Sequence, residues 1–395
     1  MQEIQLEKKR VGTIDLLRGL IMIIMALDHT RDFFHTGALQ ADPLNPDTTT
    51  PILYFTRWIT HFCAPTFVFL SGVSAWLQAQ RKSKKELSLF LVKRGLWLIL
   101  VDLTIMSFAF TADIHFNLFT LETLWSIGMG MIVLGVVIWL PFYVILSAGL
   151  LIVLGHNLID FAEKGRNAVP VTWSLVHRVA IVPLGGGRQL LILYPFLSWA
   201  GLMMLGYCAG RLFTSMSFNQ RKKILTGLGI AAVCVFVVLR FINVYGDPGP
   251  WSKRETGLQT FFAFMNVQKY PPSLLFLCAT IGPVLLFLAF VKEKTSRLRD
   301  IISVYGRVPL FYFIVHFYLL HLAEIIAYLS RRHSLAEGAE GVPGIFFKFA
   351  VPGEGYPLWI VYLIWIATVI AMYPICKWYD NYKQKHKEKR WLSYL

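Results

Sequence analysis

Long apolar runs broken by short polar or basic segments repeat along the whole chain. Ten of them are of a length to cross a bilayer as helices: residues 14–34, 52–77, 87–110, 118–139, 142–159, 190–212, 224–244, 272–291, 301–329 and 358–378. The fourth and fifth are separated only by Leu140-Pro141. The first run differs from the rest in carrying Asp15, Arg18, Asp28, His29, Arg31 and Asp32. Charge at membrane depth is costly unless it is paired or faces water, so such residues point to function. At helical spacing Asp15, Arg18, Met22, Met25, His29 and Asp32 recur at alternating steps of three and four, which places them on one face. That face is predicted to be one wall of a polar cavity, with a histidine toward one end and an arginine about three turns away. The plainer alternative is a buried ion-pair network that only fixes helix packing.

Composition agrees with the pattern. Hydrophobic residues make up 56% of the chain and charged residues 15%, and the mean hydropathy is +0.55, so the fold class is an all-α integral membrane protein, a polytopic bundle of about ten transmembrane helices. The net charge of +15 does not call for a nucleic-acid partner, because the basic residues cluster in short loops beside spans. Clusters at Lys8-Lys9-Arg10, Arg81 to Lys85, Arg211 to Lys223, Lys292 to Arg299 and Lys377 to Arg390 alternate with sparser loops holding Lys164, Arg166, Arg178, Arg188, Lys253, Arg254, Lys269, Arg331, Arg332 and Lys348. This asymmetry predicts that both termini are cytoplasmic. No cleavable signal peptide is expected: the N-terminus is polar, and the first apolar run is longer than a signal sequence and is not followed by a small-residue cleavage site.

One transmembrane domain is expected over residues 1–395, ending in a basic cytoplasmic tail at 379–395. Four substantial loops, residues 35–51, 160–189, 245–271 and 330–357, fall on the opposite face, and no internal repeat of fixed period is present. Cys63, Cys208, Cys234, Cys278 and Cys376 lie in or beside apolar runs without ligand spacing, so neither disulfides nor a metal cofactor are expected.

Several further positions can carry chemistry. A neutral imidazole at His29 can take a proton near pH 7, and Asp28 or Asp32 can hold its tautomer. Arg18, deeper toward the cytoplasm, can meet a phosphate. His61, four residues after Arg57, either faces His29 across the cavity or closes a helix-to-helix hydrogen bond. Ser71, Gly72 and Ser74 suit close helix approach. Asp102 has two readings, a structural partner for Arg18, Arg94 or Lys93 and a direct role. Asp113, His115 and Glu122 have two readings, lining of the outer mouth and ordinary loop polarity, of which the second is the better. His316, in mid-run, is of a type that more often bonds helix to helix than catalyses. Lys269, in Lys269-Tyr270-Pro271-Pro272-Ser273, is read more readily as a snorkelling interfacial lysine than as a substrate contact. Gly185-Gly186-Gly187-Arg188 lacks the lysine and hydroxyl of a phosphate-binding loop.

Taken together, Ile14-Asp15-Leu16-Leu17-Arg18-Gly19-Leu20 with Leu27-Asp28-His29 resembles the opening of the bacterial relatives of heparan-alpha-glucosaminide N-acetyltransferase. Thr66 to Gly72, Lys269 to Ser273 and Gly306-Arg307-Val308-Pro309-Leu310-Phe311-Tyr312 are similar to later segments of that group. A more distant resemblance is to membrane acyltransferases that O-acetylate surface polysaccharide, which also place a histidine eleven residues after an arginine, as His29 follows Arg18. The resemblance implies transfer of an acetyl group from cytosolic acetyl-CoA to an extracytoplasmic saccharide or glycolipid, in the bacterial inner membrane, by a chain for which a homodimer would fit. It implies His29 as the catalytic group with Asp28 and Asp32 beside it, and His61 and His35 as rivals. It implies Arg18 on the CoA side; Arg307 and His316 are expected there with it, and Arg31, His35, Arg57 and Lys269 toward the acceptor. A proton-coupled transporter built on the same Asp, His and Arg cluster is the competing expectation.

Overall fold

The computed structural model describes residues 12–165, 169–292, 296–345 and 347–393; the expected contributions of Lys8-Lys9-Arg10, Arg166 and Lys294 lie outside the described residues. The first apolar run folds as α1 (Gly12–Phe34), a helix of 23 residues. The second forms α2 (Pro51–Ala79). Its start is fixed by Thr50, whose side chain accepts from the Leu53 amide, and by Pro51 in the first turn, where a missing N–H costs nothing. A 3-10 turn at Ile59–Phe62 tightens this helix midway.

Next comes α3 (Lys84–Val101), opened by a reciprocal cap between Ser83 and Glu86 and continued through a π turn at Asp102–Met106 to Thr111. The remaining main helices are α4 (Thr123–Val137), α5 (Phe142–Gly155), the short α6 (Leu158–Glu163) and α7 (Val171–Val176), then α8 (Leu197–Ser215) and α9 (Phe218–Ile242). The chain continues with α10 (Gly257–Met265), α11 (Leu274–Phe290), α12 (Arg297–Arg307), α13 (Pro309–Ser330) and α14 (Leu358–Lys385).

Among the described residues, α2, α9, α13 and α14 are long and apolar enough to cross a membrane, and α4, α5 and α11 are shorter apolar helices. The most apolar stretches of α9 and α14 are only 22% and 17% buried. Apolar surface held outward on this scale belongs against lipid, and the chain is an integral membrane protein.

The structure corrects three boundaries. Residues 118–121 and 190–192 lie in strands rather than at the beginnings of helices: β1 (Leu118–Leu121), β2 (Ala180–Gly185) and β3 (Arg188–Ile192) make a small sheet in the order β1-β3-β2, with β1 parallel and β2 antiparallel to β3. A four-residue apolar run carries no period that separates strand from helix. The third correction is at 301–329, which is two helices. They part at Val308, whose backbone leaves the helical region (φ −130°, ψ 49°) directly before Pro309, as the crowding ahead of a proline favours.

The first helix packs against α2, α12, α13 and α14, and so lies inside the bundle. Its crossing with α12 depends on two facing glycines. A Cβ on Gly19 would lie 1.9 Å from the Ile302 carbonyl oxygen, and one on Gly306 would lie 1.9 Å from that of Asp15. Gly72 in α2 meets α8 as closely, with 2.1 Å to the Met203 oxygen, which fulfils the close approach expected there.

Candidate functional site

The polar face of α1 lines two adjoining cavities. The outer one, about 230 Å³, is walled by Met25, Asp28, His29 and Asp32 of α1, by Arg57 and Cys63 of α2, and by Glu122, Tyr194, Lys269, Tyr270, Phe313 and Phe317. The inner one, about 90 Å³, is lined by Arg18, Met22, Met25, Ser71, Arg94, Leu98 and Leu310. Met25, Phe67, Thr123 and Phe313 belong to both walls. The predicted stripe from Arg18 to His29, about 16 Å along a helix, therefore borders void at both ends.

His29 is half-buried, and its Nδ1 is 2.7 Å from Nε2 of His316. His316 is fully buried, with its own Nδ1 2.8 Å from the Tyr312 carbonyl oxygen. Because a carbonyl only accepts, His316 Nδ1 is the donor there, and in a neutral ring its Nε2 must accept. His29 Nδ1 is then the donor to His316, which leaves the lone pair on His29 Nε2. Phe317 packs on the His29 ring at 4.3 Å and Phe313 meets it edge-on at 6.0 Å. The chain of three partners fixes both the tautomer and the pose of the imidazole, the task assigned from sequence to Asp28 or Asp32.

Those carboxylates are engaged elsewhere. Arg31 lies 3.0 Å from Asp28 and 2.6 Å from Asp32, and Arg57 reaches the other Asp28 oxygen at 2.7 Å. Arg57 also donates to Thr60 at 2.9 Å. Two cations and two anions thus close a partly buried network beside the histidine, and Arg31 itself is 3% exposed and outside the cavity lining. Asp28, Asp32 and Arg57 still border the void. The first helix thus carries a cavity wall and an ion-pair network on adjacent residues.

Other expected site residues are placed differently. His61 does not face His29: it is buried, its Nδ1 bonds the Arg57 carbonyl, and its ring lies against Trp58 and Phe276. His35 follows the end of α1, where its Nδ1 accepts from the Gly37 amide and its backbone pairs with Tyr356. Burial, then the charge of Arg31, push its imidazole below the ordinary histidine range, and it does not line the cavity. Arg307 pairs with Asp380 of α14 at 2.6 Å and lines neither cavity. Arg18 reaches Asp15, Ser74 and the Leu70 carbonyl and does line the inner void. Lys269 borders the outer cavity with its ammonium 5.0 Å from the Tyr270 ring centroid, so it is turned to the site rather than to an interface.

Asp102 accepts the backbone N–H groups of Glu122 at 2.7 Å and Trp125 at 2.9 Å. It caps the start of α4, whose first amides have no partner within the helix, and is not held by Arg18, Arg94 or Lys93. In doing so it sets the junction between β1 and α4 from which Glu122 meets the cavity. Glu122, for which loop polarity is the preferred sequence reading and the outer mouth the alternative, lines the outer cavity; its signal in the chain is an acid placed directly ahead of an apolar helix. Asp113, by contrast, is loop polarity as expected. Burial raises its carboxyl pKa, but the backbone N–H groups of His115 and Asn117 outweigh that and hold it below the usual range.

The heparan-alpha-glucosaminide N-acetyltransferase catalytic family has a sequence model that matches residues 10–240. The chain belongs to this family. No curated protein matches it. Membership makes the chain an acyltransferase-type membrane enzyme. The portion matching the N-acetyltransferase model supplies α1 to α9, with His29, Arg18, Arg57, Arg94 and Glu122. Lys269, Tyr270 and Phe313 come from beyond it and complete the same cavity, and His316, also beyond it, bonds His29 from behind the wall.

Proposed function

We propose that this protein moves an acetyl group from cytosolic acetyl-CoA to an amine or hydroxyl of an extracytoplasmic saccharide, with His29 as general base. The observation that carries the reading is the ordered chain from the Tyr312 carbonyl through His316 to His29 at the wall of the outer cavity. It leaves one imidazole nitrogen with a lone pair in a site large enough for reacting groups. The acceptor nitrogen or oxygen attacks the thioester carbon as His29 Nε2 takes its proton. The C–S bond breaks, and the proton passes from His29 to the departing CoA sulfur. Holding thioester and acceptor together at the imidazole supplies the proximity term.

Arg18 and Arg94 at the inner cavity give phosphate-binding chemistry to the CoA side, and the shared wall supports a route for the pantetheine arm. Glu122, Lys269 and Arg57 lie on the acceptor side. In this reading about ten helices span the bilayer, with both termini cytoplasmic and the Arg18 end of α1 inward, in keeping with the distribution of Lys and Arg. Family membership favours transfer over transport. The test uses purified protein in detergent with radiolabelled acetyl-CoA and an amino-sugar acceptor. Label should reach the acceptor in the wild type and not in His29→Ala. Retention of label on the protein without acceptor would replace direct transfer by an acyl-histidine relay, and activity of His29→Ala equal to wild type would end the proposal.

A further inference from the structure

A second polar cluster lies apart from the residues discussed so far. The short helix α6 presents Asp160 and Glu163 three residues apart, hence on one face. The ring of His177, just past α7, sits between them: Nδ1 is 3.1 Å from a Glu163 oxygen and Nε2 is 4.0 Å from an Asp160 oxygen. One donor atom from each of the three lies within 4.8 Å of the others. His156, at the end of α5, brings its Nδ1 to 3.5 Å from His177 Nε2, and its own Nε2 is buried without a hydrogen-bond partner in a residue only 3% exposed.

We infer that Asp160, Glu163 and His177 bind a divalent transition-metal cation of the zinc class, with the His156 imidazole beside them as a fourth ligand. Proton counting carries the chemistry. A neutral His177 has one N–H, and giving it to Glu163 Oε1, which also accepts from Trp173, leaves a lone pair on Nε2 next to the Asp160 carboxylate and the second imidazole, with Glu163 Oε2 left for the ion. Two carboxylates and two imidazoles are an electron-rich set, and a mixed nitrogen and oxygen set selects zinc-like ions over calcium or magnesium, which prefer oxygen alone. Zinc bonds of about 2.0–2.2 Å hold donors within about 4 Å of each other, so closing this cluster on an ion requires movements of about 1 Å or less.

The carboxylates are already oriented from behind. Asn157 donates to Asp160 at 2.7 Å and the Trp173 indole to Glu163 at 2.5 Å, the outer-shell support that metal ligands commonly have. A cavity of about 540 Å³, lined by Asp160, Glu163, Lys164, His177, Asp247 and Tyr270, gives an ion access. Tyr270 also walls the catalytic cavity, so an ion here would stiffen the far side of that wall.

The experiment is zinc(II) titration of the chelator-stripped full chain in detergent, carrying no polyhistidine tag, followed by calorimetry and elemental analysis. One zinc per chain with micromolar or tighter affinity is expected, weakened tenfold or more in Asp160→Asn and in His177→Gln and retained in His29→Ala. Substoichiometric binding by the wild type, unchanged affinity in both cluster variants, or loss in His29→Ala would overturn the assignment. If the cluster variants do not fold, X-ray absorption on the zinc-loaded wild type decides. Imidazole scattering supports the site, and a shell of oxygen or sulfur alone refutes it. None of these readouts depends on acetyl transfer.

Discussion

Two histidine pairs in this molecule differ in what stands behind them. At His29 and His316 the rings are 2.7 Å apart nitrogen to nitrogen, and the terminal partner is a neutral carbonyl, so the pair has a direction and ends in a single basic nitrogen. At His156 and His177 the contact is looser, 3.5 Å, and the partners are carboxylates, which give that pair surplus negative charge and no single direction. At His29 the carbonyl relay leaves one nitrogen free to take a proton, whereas at His177 two carboxylates crowd the ring with negative charge suited to a cation. The two proposals thus assign the same side chain two chemistries according to its second neighbour.

The largest effect expected is on the first pair: His29→Ala should lower acetyl transfer by about 10²–10⁴-fold, the usual worth of a positioned general base, with little loss of thermal stability. Transfer in the variant within a few-fold of wild type would erase the contrast between the pairs. His316→Phe keeps the packing but removes the acceptor that orients His29. It should cost about tenfold or more in turnover, on the scale of one buried hydrogen bond, with acetyl-CoA affinity nearly unchanged. An altered affinity without a slower chemical step would make His316 a binding residue instead.

How much of this was legible in the chain is itself uneven. The stripe on α1 was readable because its period lies within one helix, and the apolar runs mark where nearly all main helices fall. His316 was visible only as a mid-run histidine, since its partner is 287 residues away and no local pattern joins them. Val308 broke a run that hydropathy alone reads as continuous, and β1 was too short to show a period. The cluster at Asp160, Glu163 and His177 joins a short helix to a loop, so its spacing carries no motif.

Smaller effects sharpen the comparison by marking what lies outside either pair. Asp102→Ala should destabilise the fold by about 1–2 kcal/mol through loss of the α4 cap, measured as a lower midpoint in a detergent unfolding series. An unchanged midpoint would show that Glu122 is positioned by something else. His61→Phe should leave transfer within about twofold of wild type, because the buried ring packs against Trp58 and Phe276 and does not line the cavity. A tenfold loss would return His61 to the site.

The most direct test of the catalytic claim is single-turnover transfer from radiolabelled acetyl-CoA by His29→Ala in lipid nanodiscs, with CoA binding measured on the same sample. CoA binding equal to wild type with transfer lost is the result this account predicts. Wild-type transfer by the variant, with CoA still bound, would contradict it.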